Sequence, residues 1–332
     1  MQRWDPADEA TARACYDVEV AAHQVDEPVM PPNSFAAFLL HLRTGWEYSP
    51  NEVWVATADD GSVVGYYQVT LPDLENLDKA YSGPVVHPAR RRRGLGRELL
   101  RHEGTRAAAH GRTTFCAELP SDGAGDAFAQ AVGAKLQLEE VRRIQYLRDI
   151  APGTVAALRA TAERAAAGYS LISWDGPVPD QYCAAMAEVY NAFADAPHGD
   201  NQEPERWDAE RVRTRTGLAL RAGVLRSHSV AAVRDADGEM AGYSEVIIAP
   251  EHPDWGYQQL TAVTRPHRGH RLGLLVKAAM LELLAEAEPG LEQILTGNAA
   301  DNQHMIAVNE QLGYQVSKPG WRFYEIPVAA IR

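Results

Sequence analysis

The sequence predicts an α/β fold built twice over, and two observations predict it. Strand-like and helix-like stretches alternate through each half of the chain, and the second half repeats landmarks of the first at a fixed offset. Asp60-Gly61-Ser62-Val63-Val64-Gly65-Tyr66 returns as Asp237-Gly238-Glu239-Met240-Ala241-Gly242-Tyr243, and Arg91-Arg92-Arg93-Gly94-Leu95-Gly96 returns as Arg268-Gly269-His270-Arg271-Leu272-Gly273. Gly65 and Gly242 are separated by the same interval as Gly96 and Gly273. Two hairpin-to-loop intervals of identical length point to internal duplication of a unit of roughly 150 residues. A chain of 332 residues has two domains as its prior. The expected division is residues 1–150, a helical linker over 151–168, and a second domain over 169–332.

The first half opens with helical spacing. Residues 8–24 put Cys15, Val18 and Ala22 on one face, and Pro31-Pro32-Asn33-Ser34 sets up a second helix over 35–43. Residues 53–57 read as a strand, Asp59-Asp60-Gly61 as a tight turn and 63–70 as the returning strand. A strand ending at Val85-Val86 follows, and Pro84, which has no N–H to give a ladder, predicts a bulge or an early strand end there. Next come a helix with Leu95, Leu99 and Leu100 facing inward, a strand over 113–117, a short helix over 126–132 and a strand over 141–147.

Residues 152–168 form an Ala-rich helix closed by a glycine that suits a helix C-terminus. The second half then repeats the plan: a strand over 169–174, a helix over 181–194 bearing Met186, Val189 and Phe193, a polar loop over 195–200, and a helix over 207–216. A strand over 259–263 leads into a helix whose stripe of Leu275, Ala279, Met280, Leu283 and Ala287 reads as core packing. Residues 294–296 supply the strand after it.

Composition removes several function classes. A formal net charge of -13 argues against a general nucleic-acid binder and makes the run Arg90 to Arg93 a local feature of an acidic protein. The 3 cysteines, Cys15, Cys116 and Cys183, lie far apart without C-x-x-C spacing, so neither a disulfide framework nor a thiolate metal site is expected. No apolar signal segment follows Met1 and no apolar run has bilayer-spanning length. A cytoplasmic protein, monomeric or homodimeric, with no nucleic-acid or membrane partner and no metal is the expectation.

The basic loops carry the first chemical signal. A helix start leaves backbone N–H groups without partners and bears partial positive charge, so a loop wrapped over it presents donors to an anion. Glycines let the backbone take unusual torsions and let a bulky phosphate approach. A basic turn before an ordinary helix, or a basic nucleic-acid patch, would look similar.

Arg91-x-x-Gly94-x-Gly96 resembles the pyrophosphate loop of the GCN5-related N-acetyltransferase (GNAT) family. The late stretch Asn298-Ala299-Ala300-Asp301-Asn302 through Asn309-Glu310-Gln311-Leu312-Gly313-Tyr314 resembles that family's last motif. Together with the duplication, the resemblance covers nearly the whole chain, in a layout similar to the two-domain acetyltransferases of the mycothiol-synthase type. It implies two tandem domains, each a mixed, mostly antiparallel sheet flanked by helices. It also implies that acetyl-CoA or another acyl-CoA is the cofactor. On the first copy the cofactor would meet Val86, Arg91, Arg92, Arg93, Gly94, Leu95, Gly96 and Arg97. On the second it would meet Val263, Arg268, Gly269, His270, Arg271, Leu272, Gly273, Asn298 and Asn302.

The resemblance further implies acyl transfer to a small amine-bearing substrate by direct attack on the thioester. Support for the oxyanion would come from backbone N–H groups at Val263 and Val86. Many family members place a tyrosine four residues before the glycine of the Leu-Gly-aromatic motif as the acid for the leaving sulfur. Here that position is Asn309 in the second copy and Ala129 in the first, so water, Tyr257 or Tyr314 is expected to substitute. For the base, Glu245 is the preferred carboxylate, with His252 and Asp254 as rivals. The second copy is the expected catalytic one because it keeps the asparagines. The alternative is a CoA-binding scaffold or sensor with one or both copies non-catalytic.

Overall fold

The computed structural model describes residues 1–193 and 202–331; the expected polar loop over 195–200, with His198, lies outside the described residues. The chain divides into two units. One comprises residues 1–140, residues 202 and 203 and the C-terminal segment from Lys318, and the other comprises residues 141–193 and 204–317.

In chain order the first part runs β1 (Gln2–Arg3), α1 (Glu9–Asp26), α2 (Phe35–Thr44), β2 (Asn51–Thr57), β3 (Val63–Thr70), β4 (Lys79–Tyr81), β5 (Val85–Val86), α3 (Leu95–Ala109), β6 (Thr114–Pro120), α4 (Ala124–Ala131) and β7 (Lys135–Tyr146). The remainder runs α5 (Thr154–Ala165), β8 (Tyr169–Asp175), α6 (Cys183–Phe193), α7 (Ala209–Arg215), α8 (Leu218–Arg221), β9 (Arg226–Arg234), β10 (Met240–Ile248), β11 (Trp255–Val263), α9 (Leu272–Ala287), β12 (Gln293–Ala299), α10 (Gln303–Gln311) and β13 (Gln315–Pro327).

Local chemistry sets these boundaries. Asp8 and Ser34 accept from Thr11 N and Ala37 N and so start α1 and α2. Gly61 and Gly238 take left-handed torsions, φ 83° and 78°, in the two hairpin turns. The helix expected over 207–216 starts later, because Asp208 caps it by accepting from Arg211 N at 2.7 Å, while Trp207 stays outside it and stacks on Tyr190 with ring centroids 4.5 Å apart.

Each unit is a sheet with helices on both faces, and strand alternation decides which side chain meets which helix. In the first unit the order is β1-β2-β3-β4-β6-β13, with β5 also on β3. β4 and β6 run parallel, and β1–β2, β2–β3, β3–β4, β3–β5 and β6–β13 are antiparallel. Tyr66, Val53 and Val55 pack with α1 and α2 on one face, while Tyr67 and Val69 pack with Leu99 and Leu100 of α3 on the other. In the second unit the order is β7-β12-β11-β10-β9-β8, with β11 and β12 parallel and β8 to β11 antiparallel. Tyr243, Ala231 and Ala262 meet α6 and α7; Val246, Ile248 and Val230 meet α9, α10 and Ala162 of α5.

The strand break expected at Pro84 is present, and it shapes the first unit. β4 pairs with β6 up to Tyr81↔Cys116, the chain then turns away at Gly83-Pro84, and β5 pairs only with β3. In the second unit β11 is continuous but pairs with β12 only from Trp255 to Tyr257, while it follows β10 to Val263. In both units two neighbouring parallel strands therefore part.

The first unit is tied together by a buried ion pair. Lys79 Nζ on β4 lies 2.7 Å from Glu325 Oε1 on β13, with side chains 1% and 8% exposed. Lys79→Met is expected to cost about 3–5 kcal/mol in urea unfolding, because it removes the cation that compensates the buried Glu325 charge. The double variant Lys79→Met, Glu325→Leu should recover most of that loss.

Candidate functional site

The two basic loops have the same backbone although their glycines differ. Left-handed torsions occur at Arg92 and Gly94 (φ 61° and 90°) in the first loop and at the matching Gly269 and Arg271 (φ 89° and 54°) in the second. The first loop has its glycine at the second left-handed position, the second loop at the first. Gly94 and Arg271 are the N-caps of α3 and α9, and neither helix has a side-chain cap, so the first-turn N–H groups are left to an anion. Arg92, Arg93, Gly94, Arg97, Arg268, Gly269, His270 and Arg271 are exposed. Leu95 and Leu272 instead put their side chains into the cores, Gly96 is half-buried and Gly273 buried.

One arginine of the first loop is already occupied. Arg91 makes a two-pronged ion pair with Asp26 at the end of α1, Nη1–Oδ1 2.8 Å and Nη2–Oδ2 2.6 Å, and its Nε donates to Val86 O. Arg268 Nε donates in the same way to Val263 O at 3.3 Å.

In the second unit the parted strands meet a carboxyl group. From Ser244↔Thr261 to Val246↔Gln258, β10 advances by two residues and β11 by three, so β11 bulges opposite Glu245. Gln258 secures the bulge, donating to Glu245 O at 2.6 Å and to Ser244 Oγ at 3.1 Å. Glu245 lies two residues from Tyr243 and shares its face of the sheet, toward α6 and α7. Burial pushes its carboxyl up to about 7 against hydrogen bonds from Ser227 and Tyr243 that favour ionisation. Tyr243 OH is also 2.9 Å from Ser229 Oγ. Tyr257 pairs with Ile247, which puts it, half-buried, on the same face as Glu245. The first unit differs here. Gln68 stands two residues after Tyr66 where Glu245 follows Tyr243, and its Nε2 donates to His41 O at 2.9 Å.

Tyr314 is elsewhere. It packs in the core with α9, where Lys277 Nζ sits 4.7 Å from its ring centroid. Burial raises the Tyr314 hydroxyl and lowers the Lys277 amine to about 7. The structure thus brings Glu245 and Tyr257 to one face and Tyr314 to the other. His252 and Asp254 flank the turn before β11, where Asp254 O accepts from Gln293 N and Glu292 N.

The late asparagines form a small polar set. Asn302 caps α10, accepting from Met305 N at 3.3 Å. Asn298, beyond the last β11–β12 pair, accepts from Asn309 Nδ2 at 2.7 Å. Asn309 is fully buried, and its Oδ1 has no partner among the described residues. An unpartnered acceptor beside Asn298 would suit the amide-bearing arm of the acyl-CoA that the resemblance implies, and the uncapped basic helix starts would suit its phosphates. Asn309, Lys277, Ser227 and Tyr243 were not singled out as site residues from sequence. Lys277 had a signal, since it is the lone charge amid Leu274-Leu275-Val276 and Ala278-Ala279-Met280; so did Tyr243, which follows its glycine as Tyr66 does. Among the described residues no cluster of three metal-ligating side chains occurs, and no helix is long and apolar enough to cross a membrane.

Comparison with known proteins finds relatives for both halves of the chain. Residues 49–133 match the family described as "Acetyltransferase (GNAT) domain" and residues 186–314 that described as "Acetyltransferase (GNAT) family". The mycothiol acetyltransferase of Tsukamurella paurometabola is 30% identical over 313 residues, covering 88% of this chain and 96% of that protein. A solved tandem GNAT protein from the clavulanic acid biosynthesis pathway superposes with a TM-score of 0.80 at 30% identity, covering 98% of this chain and 97% of that one. A GCN5-related N-acetyltransferase from Sphaerobacter thermophilus shares the fold, with a TM-score of 0.69 at 17% identity over 98% of this chain and 95% of that one.

The left-handed Arg271 generates a stability test. Arg271→Val should destabilise the protein by about 1–2 kcal/mol in chemical denaturation, because a branched side chain resists that torsion. Arg271→Gly should cause no such loss.

Proposed function

The chain belongs to the GNAT acetyltransferase family, and on that premise we propose that it transfers an acetyl group from acetyl-CoA to a small amine, with the chemistry in the second unit. The observation that carries the assignment to this unit is Glu245, a carboxyl poised near neutrality beside the parting strands, where the first unit has an amide already bonded to backbone. The relatives' name, mycothiol acetyltransferase, supports a small-molecule acceptor, and the acidic chain suits a cationic one.

In this reading Arg268, Gly269, His270, Arg271, Leu272 and Gly273, largely through backbone N–H groups at the start of α9, hold the pyrophosphate. Asn298, Asn302 and Asn309 serve the arm, and Val263 offers its backbone at the bulging strand. Bound acyl-CoA supplies a thioester carbonyl carbon. Glu245 takes the proton from the amine as the C–N bond forms and the C–S bond breaks, and Tyr257, on the same face, is the acid for the departing sulfur. Tyr314, with Lys277 over its ring, shapes the core behind the arm.

Because Glu245 acts only when ionised and its carboxyl sits up at about 7, kcat/KM should rise with pH through about 7 and level above it. Glu245→Gln should lower kcat on the order of a hundredfold or more and remove that limb. A thiol-release assay with acetyl-CoA and a panel of amines reads both. An unchanged pH profile in the variant would refute the role of Glu245, and tight acetyl-CoA binding by calorimetry with no turnover of any amine would favour the scaffold reading.

A further inference from the structure

We propose that the first unit is a second acyl-transfer centre, in which Glu19 of α1 is the general base for a small primary amine. The inference rests on the reading above that such chemistry occurs in the second unit, and it begins from how closely the two frames correspond. Gly65↔Val86 and Tyr66↔Val85 in one unit match Gly242↔Val263 and Tyr243↔Ala262 in the other. Arg91 Nε and Arg268 Nε donate to the carbonyls of Val86 and Val263. Tyr66 and Tyr243 therefore stand at the same place, one pair away from the residue at the parting strands.

Each tyrosine has a carboxyl partner, supplied from a different element. Tyr243 faces Glu245 of its own strand. Tyr66 OH donates to Glu19 Oε2 at 2.5 Å, across from α1. Gln68, at the position of Glu245, is bonded to His41 O, so the strand itself offers no carboxylate and the helix provides one. Glu19 is half-buried. The titratable groups around it are Tyr66 on β3 and His23, Asp26 and Glu27 on α1. Asp26 is paired with Arg91, which anchors the end of α1 to the loop. The half-buried Glu19 carboxyl favours an acceptor that arrives as an ammonium.

The ammonium first loses one proton to solvent. The neutral amine nitrogen then adds to the thioester carbon, Glu19 takes the second proton as the C–N bond forms, and the C–S bond breaks with the sulfur leaving as thiolate. The acceptor differs from that of the second unit because the walls differ: Phe38 packs edge-on against Tyr66 and is itself flanked by Tyr16, whereas Trp174 stacks on Tyr243.

The test is steady-state thiol release from acetyl-CoA over a panel of primary amines, comparing wild type, Glu245→Gln, Glu19→Gln and the double variant, with products identified by mass. Glu245→Gln should keep turnover of one group of amines, and adding Glu19→Gln should lower that residue on the order of a hundredfold. Tyr66→Phe, which keeps the ring in the core, should lower the same residual turnover and leave the Glu245-dependent amines untouched; this guards against loss of folding in Glu19→Gln. Abolition of all turnover by Glu245→Gln alone would overturn the second centre and leave the proposed function standing. Loss of all turnover in Glu19→Gln with full retention in Glu245→Gln would instead overturn the assignment of chemistry to the second unit and support this one.

Discussion

Backbone N–H and C=O groups demand partners, and a sheet that parts between two of its strands leaves some of them without any. Each unit of this protein is arranged around such a gap. In the first, Gly83-Pro84 breaks the strand outright: the piece before the break pairs with β3 and β6, the piece after it with β3 only. In the second, the strand stays whole and gains an extra residue opposite Glu245. Both solutions part a sheet next to a basic helix start, an arrangement that would suit an elongated ligand with an anionic end and amide groups along its length. The proline and the bulge are thus two local means to one end.

The repeated hairpins and loops were legible in the sequence because turn chemistry is local. Asp-Gly pairs and the arginine-glycine loops announce themselves within a few residues. The strand break was legible too, since Pro84 cannot donate to a ladder whatever surrounds it. What the sequence could not show is anything set by register. Glu245 is visible as an acid in an apolar stretch, but its approach to Ser227 depends on how β9 and β10 align. The bond from Tyr66 to Glu19 spans the gap between a strand and a helix far apart along the chain. Asn309 looked like the absence of a tyrosine and is in fact a buried partner of Asn298.

The cores also hold charges that composition alone would place outside. Glu103, fully buried on α3, has one oxygen bonded to Ser82 at 2.9 Å and the other unpartnered, and burial pushes it up to about 8. Lys277 has an aromatic ring against its amine. Groups moved this far toward neutrality avoid most of the cost of a bare buried charge. Each lies on the helix that follows a basic loop, so the long core helix in each unit combines an electropositive start with a weakly ionising side chain further along.

The membership of the last strand has a consequence for how the molecule comes into being. Residues 318–327 of β13 pair with β6 and supply Glu325 to Lys79, yet they are made after the entire second unit. At about 5–20 residues per second of synthesis, the first unit spends on the order of ten seconds or longer outside the ribosome with Lys79 lacking its counter-ion and one edge of β6 open. The later half of the chain can complete its own sheet in that interval. The molecule's order of birth and its order of completion are therefore reversed: the domain that begins first is the one that closes last.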